Sequence, residues 1–392
     1  MTRLYLIRHA EAEGNLYRRC QGWYDSLVTH RGYRQIAALE QRFQSIPIDA
    51  VYSSDLFRTM ATSNALCRPQ GLPLQTRSDL REVRLGIWED RPWADIAHTD
   101  PEGMRGFNAS SPAWRVEGGE NFRQLGDRMA AAVLDIAGQN PGGNVAIFSH
   151  GMAIRALQGT ILGLPIEEWV TLGHGDNTCV TAIELEGGRA NILWRNDSTH
   201  LPPETSTLAQ QAWWKAGSGG REDTNLRYQP LDMEQIGKFY YEARKEAWLS
   251  IHGTIHQFDG DGFVREAMEQ WRVNPRAVTC AYLRDEPVGI LQMDTTRYAD
   301  DGVGYIPFYY MFPKYRKSGL GVQLMGEAIS LYRTLDRSRL CLRCAPDNHV
   351  ARRFYERYGF SKVGEVQGTR VPLDLMEKPI ALEQGKPCPA II

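Results

Sequence analysis

The sequence contains no lysine before Lys215, although the 392-residue chain holds 45 basic residues in all. Residues 1–205 carry 20 arginines and 24 acidic residues, whereas the remainder carries 17 arginines and 8 lysines against 23 acidic residues. Such a shift in composition within one chain indicates two units of separate origin. Because the formal net charge is only −2, no attraction of the whole chain to nucleic acid or to an acidic membrane is expected.

Cysteines and long apolar runs are also scarce. Seven scattered cysteines in a chain of this length indicate reduced thiols rather than a disulfide framework. The lone pair Cys341 and Cys344 lacks a second pair nearby, so we expect no zinc site and no other metal. No apolar run reaches 18 residues, and Leu4–Ile7 ends at Arg8, so we expect neither a membrane span nor a signal peptide. We therefore expect a cytoplasmic protein.

Hydrophobic periodicity predicts a different order of elements in each half. Short apolar runs such as Leu4–Ile7 and Val145–Phe148 alternate with amphipathic helices in the first half, which favours an α/β sandwich with a largely parallel sheet. The second half contains a predicted hairpin across Val278–Met293 and a long aromatic strand at Val303–Phe312. This α+β order is typical of a mostly antiparallel sheet.

Polar and glycine-rich residues separate the halves. Two prolines, a Thr/Ser run and the sequence Gly217-Ser218-Gly219-Gly220 occur within residues 199–225, a composition that suits a linker. We therefore expect a first domain over residues 1–200, a linker over 201–225, a second domain over 226–382 and a tail over 383–392.

Two histidines lie where chemistry is expected in the first half. Arg8-His9 and Ser149-His150-Gly151 each end a predicted strand, and strand carboxyl ends form the binding edge of an open α/β sheet. There Arg8 can offer a guanidinium to a phosphate, and a neutral His9 can act as a nitrogen nucleophile. Taken alone, Arg-His is weak evidence, because an isolated histidine more often has a structural role.

Five segments in order resemble the histidine phosphatase superfamily, the phosphoglycerate-mutase-like proteins. They are Leu6–Asn15, Gln21–Thr29 followed by Gly32, Ser53–Thr59, Leu80–Glu89 and Ser149–Gly151.

The resemblance implies a role for several residues. His9 would attack phosphorus and form phosphohistidine, while Arg8, Arg58 and His150 surround the phosphoryl oxygens. Glu82 would protonate the leaving oxygen. The resemblance also suggests further phosphate contacts and a residue lining the pocket: Asn15 and Gln21 as contacts, and Asn177 in the lining.

The number of residues between Glu82 and His150 favours a phosphatase over a mutase. Only 68 residues separate Glu82 from His150, whereas family mutases carry more chain there. The opening motif also lacks the tryptophan that mutases usually place before the residue equivalent to Asn15. We expect a small phosphorylated metabolite as substrate, and a phosphoglycerate-type mutase remains an alternative.

A glycine-rich turn follows the aromatic strand of the second half. Arg316–Gly321 reads Arg-x-x-Gly-x-Gly at the start of an amphipathic helix, where backbone N–H groups can approach a phosphate. This turn, together with Asn348–Phe360, resembles the GCN5-related N-acetyltransferases (GNAT), over about residues 226–380. The implied fold is therefore a three-layer α/β sandwich followed by an α+β GNAT domain with a mixed, mostly antiparallel sheet.

The GNAT resemblance implies acetyl-CoA as a co-substrate and a small amine as acceptor. Tyr355 would protonate the departing thiolate, and backbone groups would hold the pantetheine arm and the pyrophosphate. The implied cofactor-binding residues are Met311, Phe312, Arg316, Lys317, Ser318, Gly319, Leu320, Gly321 and Asn348.

No general base is evident in the second half. The strand Val303–Phe312 contains no carboxylate, so Asp294, Asp300, Asp301 or a water relay are the alternatives. This gap leaves open a second reading, in which the second domain binds acyl-CoA without catalysis. The acceptor amine and the oligomeric state are not readable from the sequence.

Overall fold

The computed structural model describes residues 1–211 and 224–382, which divide into two units. Each unit contains one sheet, in agreement with the predicted α/β and α+β classes. Within the described residues, no helix is both long enough and apolar enough to cross a membrane.

The first unit is built on a six-stranded sheet in the order β3-β2-β4-β1-β5-β6. Strands β1 to β4 are parallel, and β5 and β6 add an antiparallel edge. The strands are β1 Thr2–Arg8, β2 Ala50–Ser54, β3 Leu74–Arg77, β4 Asn144–Ser149, β5 Val180–Glu186 and β6 Arg189–Asp197. The helices are α1 Glu13–Tyr17, α2 His30–Phe43, α3 Phe57–Gln70, α4 Trp93–Thr99, α5 Pro101–Asn108, α6 Phe122–Gln139, α7 Gly151–Ile161 and α8 Thr207–Gln210.

Alternation along β1 buries both faces of this sheet. Tyr5 and Ile7 face the apolar side chains of α2 and α3, whereas Leu4 and Leu6 point to the opposite face and are equally buried. Helix α7 packs against β1 and α6. The sheet therefore lies between two helical layers, and the predicted three-layer sandwich is confirmed.

Helix α6 shows how local sequence produces these layers. Asn121 accepts a hydrogen bond from the Gln124 backbone, and the Gln124 side chain accepts one in return, which satisfies two amides at the helix start. Buried apolar residues then recur every three or four positions and form one face. They are Phe122, Leu125, Met129, Val133 and Ile136.

The second unit is a seven-stranded sheet in the order β12-β13-β11-β10-β9-β8-β7. Only β10 and β11 pair in parallel; all other neighbours are antiparallel. The strands are β7 Arg227–Pro230, β8 Val278–Leu283, β9 Glu286–Asp294, β10 Val303–Met311, β11 Arg339–Cys344, β12 Ser361–Gln367 and β13 Pro372–Pro379. The helices are α9 Met233–His252, α10 Gly260–Val273, α11 Val322–Thr334 and α12 His349–Arg357.

The first residues of the expected linker are ordered against the first unit. Gln35 of α2 donates to the carbonyl of Thr205 at 2.8 Å, and Thr207 is buried. The rest of the expected linker, residues 212–223, and the expected tail, residues 383–392, lie outside the described residues. The division at residues 200, 225 and 382 therefore stays a prediction.

Two helical glycines provide a test of packing in the first unit. A Cβ at Gly159 in α7 would lie 2.2 Å from the indole nitrogen of the buried Trp169, whereas a Cβ at Gly138 in α6 would meet nothing within 4 Å. We expect Gly159→Ala to destabilise the unit by about 1–3 kcal/mol through overpacking. Gly138→Ala should stabilise it by roughly 0.5–1 kcal/mol through helix propensity. Urea unfolding measures both, and equal effects of the two substitutions would contradict this account.

Candidate active sites

The sheet of the first unit brings His9 and His150 together. Strands β1 and β4 are parallel neighbours, with Arg8 opposite Ser149, so the next residue of each strand falls at the same edge. The two imidazole ring centroids are 5.3 Å apart. Both side chains are buried. The predicted pairing of these histidines follows directly from the strand register.

Burial and nearby arginines keep both imidazoles neutral. Burial lowers the pKa of His9 well below its ordinary value, and the charges of Arg58 and Arg8 lower it further. Burial and the charge of Arg58 lower the pKa of His150 in the same way. The Nδ1 atom of His9 lies 2.7 Å from the carbonyl of Ala10, which can only accept. The proton of His9 is thus on Nδ1, and Nε2 keeps its lone pair.

Arg58 is fully buried and holds a loop beside the histidines. Its guanidinium donates to the carbonyls of Gly22 and Tyr24 at 2.7 and 2.9 Å, and it lies 3.5 Å from Asp25. The Glu89 carboxylate accepts the three backbone N–H groups of residues 22–24 at 2.8–3.0 Å. Arg58 therefore binds the carbonyl groups of this loop, and Glu89 binds its N–H groups.

The role of Glu89 has no local sign in the sequence. The residue ends the segment Gly86-Ile87-Trp88-Glu89, which served only as part of the family resemblance. No local pattern shows that its carboxylate reaches a loop more than 60 positions earlier in the chain.

Glu82 lies at the amino-terminal end of α7. Its carboxylate accepts the backbone N–H groups of Met152 and Ala153 at 3.0 and 2.9 Å, and that of Val83 at 2.9 Å. A Cβ at Gly151 would lie 3.4 Å from Arg8 Nε and 3.8 Å from a Glu82 oxygen. The glycine after the second histidine thus lies close to both Arg8 and Glu82.

The remaining predicted phosphate contacts divide into two groups. The Asn15 side-chain oxygen accepts from Ala12 N at 3.1 Å and lies 3.4 Å from the Asn177 amide, which donates to the carbonyl of His9 at 2.9 Å. Gln21 instead accepts from the hydroxyl of Ser26 at 2.7 Å. Asn15 and Asn177 are therefore joined beside His9, whereas Gln21 bonds within its own loop.

Several buried polar atoms around the histidines have no hydrogen-bond partner within the described residues. They are Arg8 Nε, Arg58 Nε, His150 Nδ1 and Asn177 Oδ1. Arg8 also donates through Nη1 to the carbonyl of Gly175 at 2.5 Å. Buried polar groups are normally paired, so the two guanidinium donors in this cluster suit an anionic ligand.

The second unit contains an opening between its two parallel strands. Pairing of β10 with β11 ends at Ile306 and Leu342, although β10 continues to Met311 and β11 to Cys344. The Phe312 N–H donates to the carbonyl of Val288 in β9 at 2.9 Å. Because the backbone groups of successive residues point to opposite sides of a strand, those of Met311 point towards the opening. Of the predicted pantetheine contacts, Met311 alone presents its backbone to that side, and its carbonyl accepts from Arg316 Nε at 2.9 Å.

The predicted pyrophosphate turn lies at the start of α11. Lys317 and Gly319 have positive φ values of 62° and 81°, which turn the chain sharply before the helix. The Ser318 hydroxyl donates to the Tyr315 carbonyl at 2.6 Å, and Leu320 is buried. The hydroxyl of Tyr309 in β10 donates to the carbonyl of Gly321 and fastens the end of the turn to the sheet. Backbone N–H groups of a helix start are suited to bind an anion.

Tyr355 and Asn348 belong to α12. Asn348 caps the helix by accepting from Ala351 N at 3.1 Å. Tyr355 is buried, and its ring lies 5.9 Å from that of Tyr309. Burial raises the pKa of Tyr355, with a smaller contribution from Cys344, so its hydroxyl is protonated at neutral pH.

The acidic residues suggested as a base lie away from the opening. Asp294 is opposite Tyr305, at the end of β10 where β10 and β11 are paired, and it binds Arg297. Asp300 and Asp301 follow in the connection to β10. At the open end, Glu246 of α9 accepts from the hydroxyl of Tyr310 at 2.8 Å and from Arg316 at 2.6 Å. The sequence pattern did not point to Glu246, because α9 precedes the strand by about 60 residues.

Comparison with known protein families identifies both halves of the chain. The model of the histidine phosphatase superfamily (branch 1) matches residues 4–198, and the model of the acetyltransferase (GNAT) family matches residues 239–360. The chain belongs to the histidine phosphatase superfamily and carries a GNAT acetyltransferase domain after it.

Individual relatives resemble the first half. The chain is 34% identical over 165 residues to the probable phosphoglycerate mutase GpmB of Salmonella choleraesuis strain SC-B67, covering 42% of this chain and 77% of that protein. It is 37% identical over 166 residues to the protein of the same name from Yersinia pestis strain Pestoides F, with the same coverage. The solved structure of Bacillus stearothermophilus YhfR is 30% identical, with a TM-score of 0.50, and covers 51% of this chain and 99% of YhfR.

The buried histidines of the first unit predict how its stability depends on pH. Burial lowers the pKa of His200 to about 4 and that of His174 to about 3. The unfolded chain takes up these protons near pH 6.5, and the folded chain does not, so stability is lost as pH falls from about 6.5 to 4. We expect denaturant titrations at pH 7, 6, 5 and 4 to show this fall.

Removing one of these histidines should make the fall shallower. We expect His200→Gln to reduce the slope of unfolding free energy against pH between 6.5 and 4, whereas Gln at the exposed His98 should leave it unchanged. An identical slope for wild type and His200→Gln would show that His200 titrates alike in the folded and unfolded states.

Proposed function

We propose that the protein is a bifunctional enzyme, with a phosphohistidine-forming phosphomonoesterase followed by an acetyl-CoA-dependent N-acetyltransferase. The first activity is supported by a group of side chains at one sheet edge: the neutral imidazoles of His9 and His150 and the guanidinium groups of Arg8 and Arg58. The Nε atoms of both arginines are buried donors without a hydrogen-bond partner among the described residues. These are the groups that in-line phosphoryl transfer needs, because its transition state spreads negative charge over three oxygens.

The first step joins His9 to phosphorus. Nε2 attacks the phosphoryl group, the bond to the ester oxygen breaks, and a proton from Glu82 neutralises the departing alkoxide. Arg8, Arg58 and His150 stabilise the charge on the equatorial oxygens. The Nδ1 hydrogen bond to Ala10 holds the ring in the tautomer that leaves Nε2 free to attack.

The second step releases the phosphate. Water attacks phosphohistidine, the N–P bond breaks, and Glu82 accepts the proton from that water, so the enzyme returns to its starting state. A water molecule rather than a second substrate hydroxyl is favoured by the short stretch between Glu82 and His150. The relatives named as probable phosphoglycerate mutases support the second candidate, a mutase, which requires a bisphosphate primer.

The second activity is supported by the opening between β10 and β11 and by the turn before α11. The N–H groups of residues 317–321 would hold the pyrophosphate, and the backbone of Met311 would contact the pantetheine arm. When bound, acetyl-CoA supplies an activated thioester. The protonated Tyr355 would donate its proton to the leaving sulfur.

Substitution of His9 tests the first proposal. We expect His9→Ala in the full chain to lower hydrolysis of p-nitrophenyl phosphate by on the order of 10³-fold or more, because the nucleophile is lost. Glu82→Gln should lower kcat by about 10²–10⁴-fold. His98→Ala, at an exposed position of α4, is the matched control and should retain wild-type activity.

The outcomes separate the alternatives. Full activity of His9→Ala would rule out the phosphohistidine mechanism. Interconversion of phosphoglycerates that depends on added bisphosphate, with little net phosphate release, would support the mutase instead.

Substitution of Tyr355 tests the second proposal. We expect Tyr355→Phe to lower the release of CoA thiol from acetyl-CoA, measured with a panel of amines, by about 10²-fold. Tyr358→Phe is the matched control: it removes a tyrosine hydroxyl three residues later, at the C-terminal cap of α12, and should change the rate little. If wild type binds acetyl-CoA but releases no thiol with any amine, the non-catalytic binding module is favoured.

A further inference from the structure

Residues Thr205–Gln211, which we name the strap, run along the histidine site after the last strand of the first unit. Strand β6 ends at Asp197, and the family model ends at residue 198. The strap nevertheless has buried side chains at Thr205 and Thr207, which are 7% and 3% exposed. It includes the short helix α8, in which the Ser206 hydroxyl accepts the backbone N–H of Ala209.

The strap first contacts the loop that carries His9. The Thr207 hydroxyl donates to the Glu11 carboxylate at 3.1 Å, and Glu11 is 1% exposed. Gln35 of α2 links the two further, because its amide donates to Thr205 O and Thr207 Oγ1 while its oxygen accepts from Glu11 N at 2.7 Å. Glu11 follows His9 by two residues, so the strap reaches the chain immediately after the nucleophile.

The strap also contacts the loop on the other side of His9. The Ser206 hydroxyl donates to Asp176, and Leu208 N donates to the same carboxylate at 3.3 Å. Asp176 precedes Asn177, whose amide donates to the carbonyl of His9 at 2.9 Å. The strap thereby bridges two separate loops that both meet at His9.

A third contact reaches the expected phosphate-binding region. The Gln211 side chain donates to the carbonyl of Asn15 at 3.1 Å. Asn15 is the residue whose side chain lies beside Asn177. All three attachments therefore lie within a few residues of the groups expected to hold the phosphoryl group.

We propose that the strap is a positioning element of the phosphatase site, which holds the loops around His9 in the geometry needed for attack. The inference rests on the proposed phosphatase function. Loop backbone is easily displaced, and a shift of about 1 Å in a reacting group can cost as much as 10²-fold in rate. The chain that leads to the acetyltransferase domain thus takes part in building the first active site.

The buried Glu11 carboxylate makes Thr207 the most informative position. Arg31 and Thr29 also bind this carboxylate, at 2.9 and 2.7 Å, so its charge remains paired when the Thr207 hydroxyl is removed. Thr207→Val keeps the shape of the side chain and deletes the hydroxyl that bonds to Glu11 and to Gln35, while the Gln35 amide keeps its bond to the Thr205 carbonyl. Thr207→Ser restores the hydroxyl without the methyl group.

The experiment uses the full chain with p-nitrophenyl phosphate. We expect Thr207→Val to lower the single-turnover rate constant of phosphohistidine formation about tenfold. The fraction of enzyme that becomes phosphorylated, which we call the labelled fraction, should be unchanged, and KM should stay within about twofold of the wild-type value. Thr207→Ser should recover most of the rate. Thr76→Val, at an exposed position of the edge strand β3, is the matched control and should behave as wild type.

The readouts separate positioning from simple loss of folded protein. A lower labelled fraction with an unchanged rate constant would show a purely structural role and overturn the proposal, as would wild-type rates in Thr207→Val. A different result would show that the proposed phosphatase mechanism is itself wrong: hydrolysis that survives His9→Ala in the otherwise unaltered chain. If Thr207→Val does not fold, Ser206→Ala, which deletes the bridge to Asp176, decides instead: a lower rate constant supports the proposal and a wild-type rate constant overturns it.

Discussion

The burial of the Arg58 guanidinium beside two histidines is the constraint on which the first unit depends. A buried cation is costly unless it is paired, and among the described residues the partners of Arg58 are the carbonyl oxygens of Gly22 and Tyr24 and the more distant Asp25. Its charge, together with burial, suppresses protonation of His9 and His150. The same residue thus holds the loop over residues 22–24, keeps the histidines neutral and places positive charge beside them.

The main catalytic candidates of the first unit are predictable from the sequence because they follow strand ends. Parallel strands bring their carboxyl ends to one edge, so His9 and His150 had to meet once β1 and β4 were neighbours. Glu89, Asp176 and the strap were not predictable, because their contacts join positions tens to hundreds of residues apart without any local pattern. The polar composition of residues 201–211 instead suggested a linker, although hydrogen bonds to buried partners hold them.

In the second unit, too, short sequence segments predict some features, whereas contacts between distant residues do not show in the sequence. Glycines and a helix start revealed the turn at 316–321, and the aromatic strand was evident from its length. Helix α10 and strands β12 and β13 were not foreseen, since short amphipathic segments with many charges resemble loops in a single sequence. Glu246 at the open end of β10 became visible only when α9 was packed against the sheet.

The position of Glu82 has a consequence for how an anion can bind in the first unit. A helix start commonly binds phosphate through its free backbone amides, but the first amides of α7 already serve the Glu82 carboxylate. The N–H groups of Met152 and Ala153 are thereby occupied, so an anion beside the histidines depends on other donors, among them the guanidinium groups of Arg8 and Arg58. Recognition of an anion at this edge is thus left to donors outside this pair, whereas the two helix amides are committed to holding the carboxylate in place.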